Sequence, residues 1–417
     1  MNSVCDRSQG LLSLELARTQ LLEGLQPIQR VLTIPAGEAL GRILAEGLRT
    51  PLDFPPFANS AMDGYAVRAS DAIPGATLRR VGLVMAGTAS TSRLGNGECI
   101  RIFTGAPIPE GADAVVVQEQ VTCDRDLIRL DLMAPLRPGD NVRQQGEELK
   151  RGEALLPSGV RVGPYELGLL AFAGVTEIRV QDQLRIGVLA TGDELIPPGQ
   201  RLAPGQIHES NRPVLMGLIQ EMGHKVVDLG TIPDDFESLR QALLQSHEGL
   251  DALMTTGGAS EGDADFVAKA LRDLGAVAFW KVAVKPGKPF LYGHLGRVPV
   301  FGLPGNPVSS AIIFLKLVKP ALELLSGQGP QRPILWRLPL QTGLQRSPGR
   351  QEFLRGRLIE GQEGLSVMPL AHQGSHRLTS MTRGDCLIVL PPETQSLAAG
   401  DWVDVELFRP VSWPQEI

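Results

Sequence analysis

Leu184-Arg-Ile-Gly-Val-Leu-Ala190 is a nearly continuous apolar run, and it opens directly into Thr191-Gly-Asp-Glu194. A run this short and this apolar suits a strand buried on both faces, the kind found in parallel sheets covered by helices. The downstream sequence repeats the pattern. A helix is predicted over Arg212–Met222, stopped by Gly223, then a strand over Lys225–Leu229 and a helix over Phe236–Ser246. Next come a strand over Ala252–Thr256 and a helix over Phe266–Leu274, stopped by Gly275. Strands over Val277–Val284, Phe290–Tyr292 and Val298–Leu303 follow, and one long helix over Val308–Leu325 closes the region. This alternation predicts an α/β domain built on a parallel sheet.

The flanking regions read differently. Ser13–Leu25 has the apolar spacing of an amphipathic helix with Ser13 as its N-cap. From about residue 50 to 145, short apolar runs (Val81–Met85, Cys99–Phe103, Ala114–Val117, Leu127–Leu130) alternate with Gly, Pro and Asp, a β-rich pattern. A helix is expected over Pro164–Ala173, ahead of Gly174. Pro330–Pro333 reads as a linker, and residues 334–410 as a small β barrel or sandwich.

Composition narrows the function. The 417 residues suit several domains, and the formal charge of −6 argues against a nucleic-acid surface. A local cluster of cations can still bind an anion against that background. Cys5, Cys99, Cys123 and Cys386 form neither a metal pattern nor a disulfide framework, so reduced thiols and a cytoplasmic setting are expected. No apolar run has the length of a membrane span, and Met1–Gly10 lacks the apolar stretch of a secretory signal.

In open α/β sheets, ligands bind outside the carboxyl ends of the strands. Three loops there have suitable composition: Thr191-Gly-Asp-Glu194, Thr256-Gly-Gly-Ala-Ser-Glu-Gly-Asp263 and Leu303-Pro-Gly-Asn-Pro307. The last two run into helices, whose N-termini offer free N–H groups to an oxyanion. Turn and capping chemistry alone would explain any one of them; three at one sheet edge favour a binding site. No phosphate-loop motif occurs. Lys281, Lys285 and Lys288 surround Pro286-Gly287 in an apolar stretch. Strand alternation would aim Lys281 and Lys285 the same way, and their mutual repulsion calls for an anion or for carboxylates nearby. Asp193, Glu194, Asp234, Asp235, Asp263 and Asp265 follow three strand ends, where carboxylates can hold Mg2+ against phosphate oxygens. Helix capping is the competing explanation for Asp234, Asp235 and Asp263.

Together these pieces resemble a known family. Asn59-Ser-Ala-Met-Asp-Gly-Tyr-Ala66, Phe103-Thr-Gly-Ala-Pro107, Gly111-Ala-Asp-Ala-Val115, Thr191-Gly-Asp-Glu-Leu195, Gly257-Gly-Ala-Ser260 with Asp265, Lys285-Pro-Gly-Lys-Pro289 and Gly302-Leu-Pro-Gly-Asn-Pro-Val-Ser309 are similar to signatures of the MoeA proteins and gephyrin E domains. The likeness runs from about residue 10 to 410. It implies a multidomain α/β plus β fold. A discontinuous N-terminal domain (1–50 and 146–183) would carry a β-rich insert (51–145). A molybdopterin-binding α/β domain (184–329) and a C-terminal β barrel (330–417) would follow. It also implies a homodimer whose active site joins the α/β domain of one subunit to the insert of the other.

The reaction implied is insertion of molybdate into adenylylated molybdopterin with release of AMP, in the presence of Mg2+. The resemblance assigns catalytic roles to Asp63, Thr104, Glu194, Asp234 and Asp265, with Glu194, Asp234 and Asp265 as metal ligands. It assigns substrate binding to Gly257, Gly258, Ser260, Lys281, Lys285, Lys288, Pro304, Gly305 and Asn306, and to Arg350, Ser375 and Ser380 from shorter motifs. An adenylyltransferase is the implied protein partner. This chain departs from the family pattern at Gln144, Gln145, Glu148 and Glu261. The alternatives are a molybdopterin adenylyltransferase, which would need only the α/β domain, a non-catalytic scaffold of the gephyrin kind, and a generic nucleotide-binding enzyme, disfavoured by the missing phosphate loop.

Overall fold

The structure is a computed structural model, and residues 11–88, 93–257, 266–362 and 364–411 are described. Its centre is a six-stranded sheet of β1 (Arg185–Thr191), β2 (Lys225–Ile232), β3 (Ala252–Thr256), β4 (Ala276–Trp280), β5 (Leu291–Leu295) and β6 (Val298–Leu303). The spatial order is β2-β1-β3-β6-β5-β4. Pairs β1/β2, β1/β3 and β3/β6 are parallel, as the alternating sequence predicts. The sheet is nevertheless mixed, because β5 runs antiparallel to both β6 and β4. The cause is local: Leu295 pairs with Val298, leaving only Gly296 and Arg297 between β5 and β6. A two-residue link allows a hairpin and no crossover.

Successive side chains on a strand face opposite sides, and both sides are covered. Ile186 and Val188 of β1 and Met254 of β3 join one core with Leu215 and Ile219 of helix α1 (Asn211–Glu221). Leu189 and Leu253 join the other with Leu239 and Leu243 of α2 (Phe236–Ser246) and Val267 and Leu271 of α3 (Phe266–Leu274). The helix Leu14–Glu23, capped by the Ser13 hydroxyl, also lies on this domain, with Ala17 and Leu21 buried in the first core.

Two expectations for this region are corrected. The strand over 277–284 breaks after Trp280, because Lys281 adopts φ +80 and its N–H bonds the Phe290 carbonyl. Simple alternation therefore does not orient Lys281 relative to Lys285. The helix over 308–325 is not uniform: Pro307–Ile313 is α-helical, Phe314–Val318 widens into a π turn, and Lys319–Leu325 resumes as α-helix. Pro320 explains the change, since its ring has no N–H and would crowd the carbonyl one turn back in a regular helix.

Three further regions, with cores of their own, complete the described chain. Val31–Pro35 pairs with Glu177–Gln181, and Leu44, Phe54, Leu170 and Val180 pack nearby. The β-rich region folds into a six-stranded sheet containing Gly64–Val67 and Glu98–Ile102. At the C-terminal end, Gln351–Gly361, Cys386–Leu390, Trp402–Leu407 and Trp336–Pro339 form a sheet, with Gly364–Pro369 paired to the first of these strands. Val284–Lys285 joins that sheet in parallel with Gln351 and Glu352, so the lysine segment docks directly on the C-terminal region.

Candidate functional site

The strand ends that form the site are level with one another. Thr191 pairs with Ile232, Ala190 with Thr256, Thr256 with Leu303, and Trp280 with Leu291 across from Gly302. The mixed sheet still collects its loops on one edge: those after β1, β2, β3 and β6 together with the lysine segment between β4 and β5.

Acidic groups gather at the β1/β2 end. The Asp193 carboxylate accepts the Asp234 backbone N–H at 3.1 Å. The Asp234 carboxyl is raised above its ordinary value, first by burial and then by the charges of Glu194 and Asp193, while the Thr191 hydroxyl opposes the rise. Asp235 has a different job: it caps α2, accepting the Ser238 N–H at 2.8 Å. Capping therefore accounts for Asp235 and leaves Asp234 at the edge. Asp263, Asp265, Gly258 and Ser260 lie outside the described residues. Among the described residues no three carboxylate, histidine or cysteine side chains converge as metal ligands.

The glycine loops meet in the middle. Gly257 has φ +89, and a Cβ there would come within 2.3 Å of the Thr191 carbonyl, so only glycine lets the β3 loop pass the end of β1. Asn211, buried at the start of α1, ties the two loops together. Its Nδ2 donates to Thr256 Oγ1 at 2.8 Å and to the Gly305 carbonyl at 2.7 Å. Among the described residues its buried Oδ1 has no hydrogen-bond partner. Pro304, Gly305 and Asn306 lead into Pro307 as expected, and the Val308 N–H bonds the Ser375 carbonyl at 3.1 Å. That contact brings Ser375 to the loop but takes one helix N–H away from any anion.

The lysine segment closes the other end. The Val282 N–H bonds the Lys288 carbonyl at 3.0 Å, turning Lys288 back towards Lys281. Lys285 Nζ lies 2.8 Å from Glu352, whose second oxygen takes the Arg346 Nε at 3.0 Å. Glu352 is thus a carboxylate that offsets part of the lysine repulsion. Arg350 donates to the Val284 carbonyl at 3.2 Å, which places it beside Lys285. Ser380 is not with this group: it is buried, accepts from Arg355 at 3.0 Å and donates to the Arg377 carbonyl.

Asp63 and Thr104 come together elsewhere, in loops beside two paired strands of the β-rich sheet. The Thr104 backbone N–H and hydroxyl both donate to Asp63 Oδ1 at 2.8 Å. These bonds, with a smaller contribution from the Arg101 charge, hold the Asp63 carboxyl below the usual carboxylate range. Within the described chain no hydrogen bond joins this pair to the α/β edge. Sequence reading missed Asn211 and Glu352. The only signal for Asn211 was a polar residue at a helix start, and nothing in the sequence marked Glu352.

Comparison with known proteins follows the same organisation. Residues 12–174 match the MoeA N-terminal region (domains I and II), 187–324 a probable molybdopterin binding domain, and 337–408 the MoeA C-terminal region (domain IV). The chain is 39% identical to a molybdopterin molybdenumtransferase of Haemophilus influenzae, covering 96% of this chain and 99% of that one. It is 37% identical to one from Synechococcus elongatus, covering 94% and 98%. A crystal structure of a molybdopterin biosynthesis MoeA protein from Pyrococcus horikoshii superposes with TM-score 0.78 at 32% identity, covering 96% and 100%. A second crystal structure from that organism gives 0.83 at 29%, covering 95% and 100%. The chain belongs to the MoeA family.

Proposed function

We propose that this protein is a molybdenum insertase, which places molybdate into the dithiolene of adenylylated molybdopterin and releases AMP. Its relatives are named molybdopterin molybdenumtransferases, and it is accordingly a transferase of molybdenum-cofactor biosynthesis. The observation that carries the reading is the order of groups along one sheet edge: lysines backed by the C-terminal sheet, two glycine loops clamped by Asn211, then the acidic group around Asp234.

That order suits a long anionic substrate. Molybdate and the dithiolene sulfurs repel each other, and Lys281, Lys285, Lys288 and Arg350 offset that repulsion where they meet. Gly257, Pro304, Gly305, Asn306 and Ser375 hold the middle of the substrate, and the family motif assigns Gly258 and Ser260 to the same task. Asp234 and Glu194 suit Mg2+, being hard oxygen donors whose mutual repulsion a cation relieves; Asp265 would add a third carboxylate. When bound, Mg2+ supplies Lewis acidity at the diphosphate. Asp63 and Thr104 would act from the partner subunit of a homodimer, in which the Thr104 bonds hold the Asp63 carboxylate ionised and oriented.

The same reading divides the chain into a discontinuous N-terminal domain, an insert, the α/β domain and a C-terminal barrel, and places the protein in the cytoplasm. No helix among the described residues is long and apolar enough to cross a membrane. The test is molybdate-dependent AMP release from adenylylated molybdopterin by the wild type and by Lys285→Ala. The substitution should abolish release while the protein stays folded. Full activity in Lys285→Ala removes the lysine segment from the mechanism.

A further inference from the structure

Glu352 takes a cation on each of its carboxylate oxygens, and the two cations are held differently. Oε1 lies 2.8 Å from Lys285 Nζ, and Oε2 lies 3.0 Å from Arg346 Nε. The Glu352 side chain is only 8% exposed, so it needs a lasting counter-charge. Arg346 is that charge. Its side chain is 3% exposed. Its Nη1 donates to the Pro391 carbonyl at 2.6 Å and to the Thr394 carbonyl at 2.9 Å, and its Nη2 to the Arg350 carbonyl at 2.6 Å. Fully buried Arg355, three residues along the strand, adds a second fixed positive charge within the field of Glu352.

Lys285 is the opposite case. Its side chain is 57% exposed, while its backbone is fixed on both sides. It pairs with Glu352 in the parallel ladder, and the Gln351 N–H bonds the Ala283 carbonyl at 3.1 Å. Two residues on, Gly287 packs so tightly that a Cβ would come within 2.7 Å of Ile313 Cγ1. A fixed backbone beneath an exposed four-carbon stem leaves the ammonium group as the part that moves. When it moves away, Glu352 keeps Arg346, so its departure strands no buried charge.

We propose that Lys285 is a two-position residue, parked on Glu352 in the empty site and transferred to the tetrahedral oxyanion when that arrives. The proposal rests on the reading of the lysine segment as the place where the oxyanion binds. It explains why a buried carboxylate stands among cations meant for an anion. Parked, Lys285 is largely neutralised and repels the neighbouring cations less. Transferred, it adds a positive charge for as long as the oxyanion is there. Glu352 is then a positioning residue: it sets oxyanion affinity without touching the oxyanion, because each Lys285 contact is made against its competing pull.

The experiment uses the full-length protein, with molybdate in equilibrium dialysis and its heavier analogue tungstate in crystals. Glu352→Gln removes the competing charge and should tighten molybdate by about threefold, within the range that an exposed ion pair supplies. Arg346→Gln leaves Glu352 dependent on Lys285 and should weaken molybdate by about the same factor. The opposite signs are the signature, since two residues that merely held the fold would both weaken binding when replaced. With tungstate bound, Lys285 Nζ is expected on a tungstate oxygen and more than about 4 Å from Glu352, with the Glu352–Arg346 pair intact. Unchanged or weaker binding by Glu352→Gln overturns the proposal. So does unchanged or tighter binding by Arg346→Gln, or Lys285 still on Glu352 beside bound tungstate. In each of these cases a wild type that binds molybdate leaves the insertase reading standing. A wild type that binds neither oxyanion overturns the proposal and removes the lysine segment from that reading as well. If Arg346→Gln fails to fold, the Glu352→Gln titration and the crystals decide.

Discussion

Asn211 bonds the Gly305 carbonyl at 2.7 Å, and through the same nitrogen it bonds Thr256 Oγ1 at 2.8 Å. One buried amide therefore sets the separation of the two glycine loops. Because a carbonyl can only accept, the Gly305 contact fixes which end of the amide faces the loops. Asn211→Ala should cost about 1–3 kcal/mol in stability, the range for lost or orphaned hydrogen bonds. Activity should fall more, by about 10–100-fold, since the loops would lose their spacing. Asn211→Asp should be worse than Asn211→Ala, because it sets a carboxylate against the Gly305 carbonyl. Chemical denaturation and AMP release, measured on the same preparations, check the order.

Asp63 and Thr104 form a pair whose effect is visible in a titration. The two Thr104 bonds depress the Asp63 carboxyl, so their contribution is present above the ordinary carboxylate range of about pH 4 and is lost as pH falls through the lower folded value. Thr104→Ala should move the Asp63 titration up towards the ordinary value, read by carboxyl NMR. Asp63→Asn should abolish insertion, and it should lower the thermal midpoint at pH 7 slightly while leaving it unchanged well below about pH 4.

At Asp234 the sign is reversed. Its carboxyl is raised, so the folded protein loses stability relative to the unfolded chain as pH rises from the ordinary value through the raised one. Removing a neighbouring charge with Asp193→Asn should lower the Asp234 titration. Mg2+ should raise the thermal midpoint of the wild type at pH 7 and have little effect on Asp234→Asn. An equal Mg2+ response in both proteins would remove Asp234 from the metal site.

Lys316, presented by the π turn, is buried against Glu406 of the C-terminal sheet and over the Phe353 ring. Removing one member strands the other charge, which typically costs about 3–5 kcal/mol. Glu406→Ala should destabilise by about that amount in a denaturant series. The double variant Lys316→Met, Glu406→Leu should recover most of the loss, which separates the effect of charge from that of packing.

Much of this was legible in the sequence, for a physical reason. Glycine and carboxylate clusters follow apolar runs at Thr191, Thr256 and Leu303, and a buried strand must end where polar backbone reaches solvent, so those loops mark one edge. Gly296-Arg297 and Pro320 carried the hairpin and the π turn, but as local signals that a repeating strand–helix pattern obscured. Lys281 could not be oriented, because its left-handed backbone depends on the bond to Phe290 nine residues away. Asp63 and Thr104 are 41 residues apart, and only sheet pairing brings them together. Glu352 reaches Lys285 because two strands of different regions pair in register, a long-range event without a local trace.

The central claim is tested most directly by AMP release from adenylylated molybdopterin with Mg2+, with and without molybdate, followed by activation of an apo-molybdoenzyme by the product. The expected result is release that depends on molybdate and yields an active enzyme. Release that ignores molybdate, or a product that activates nothing, would contradict the insertase assignment.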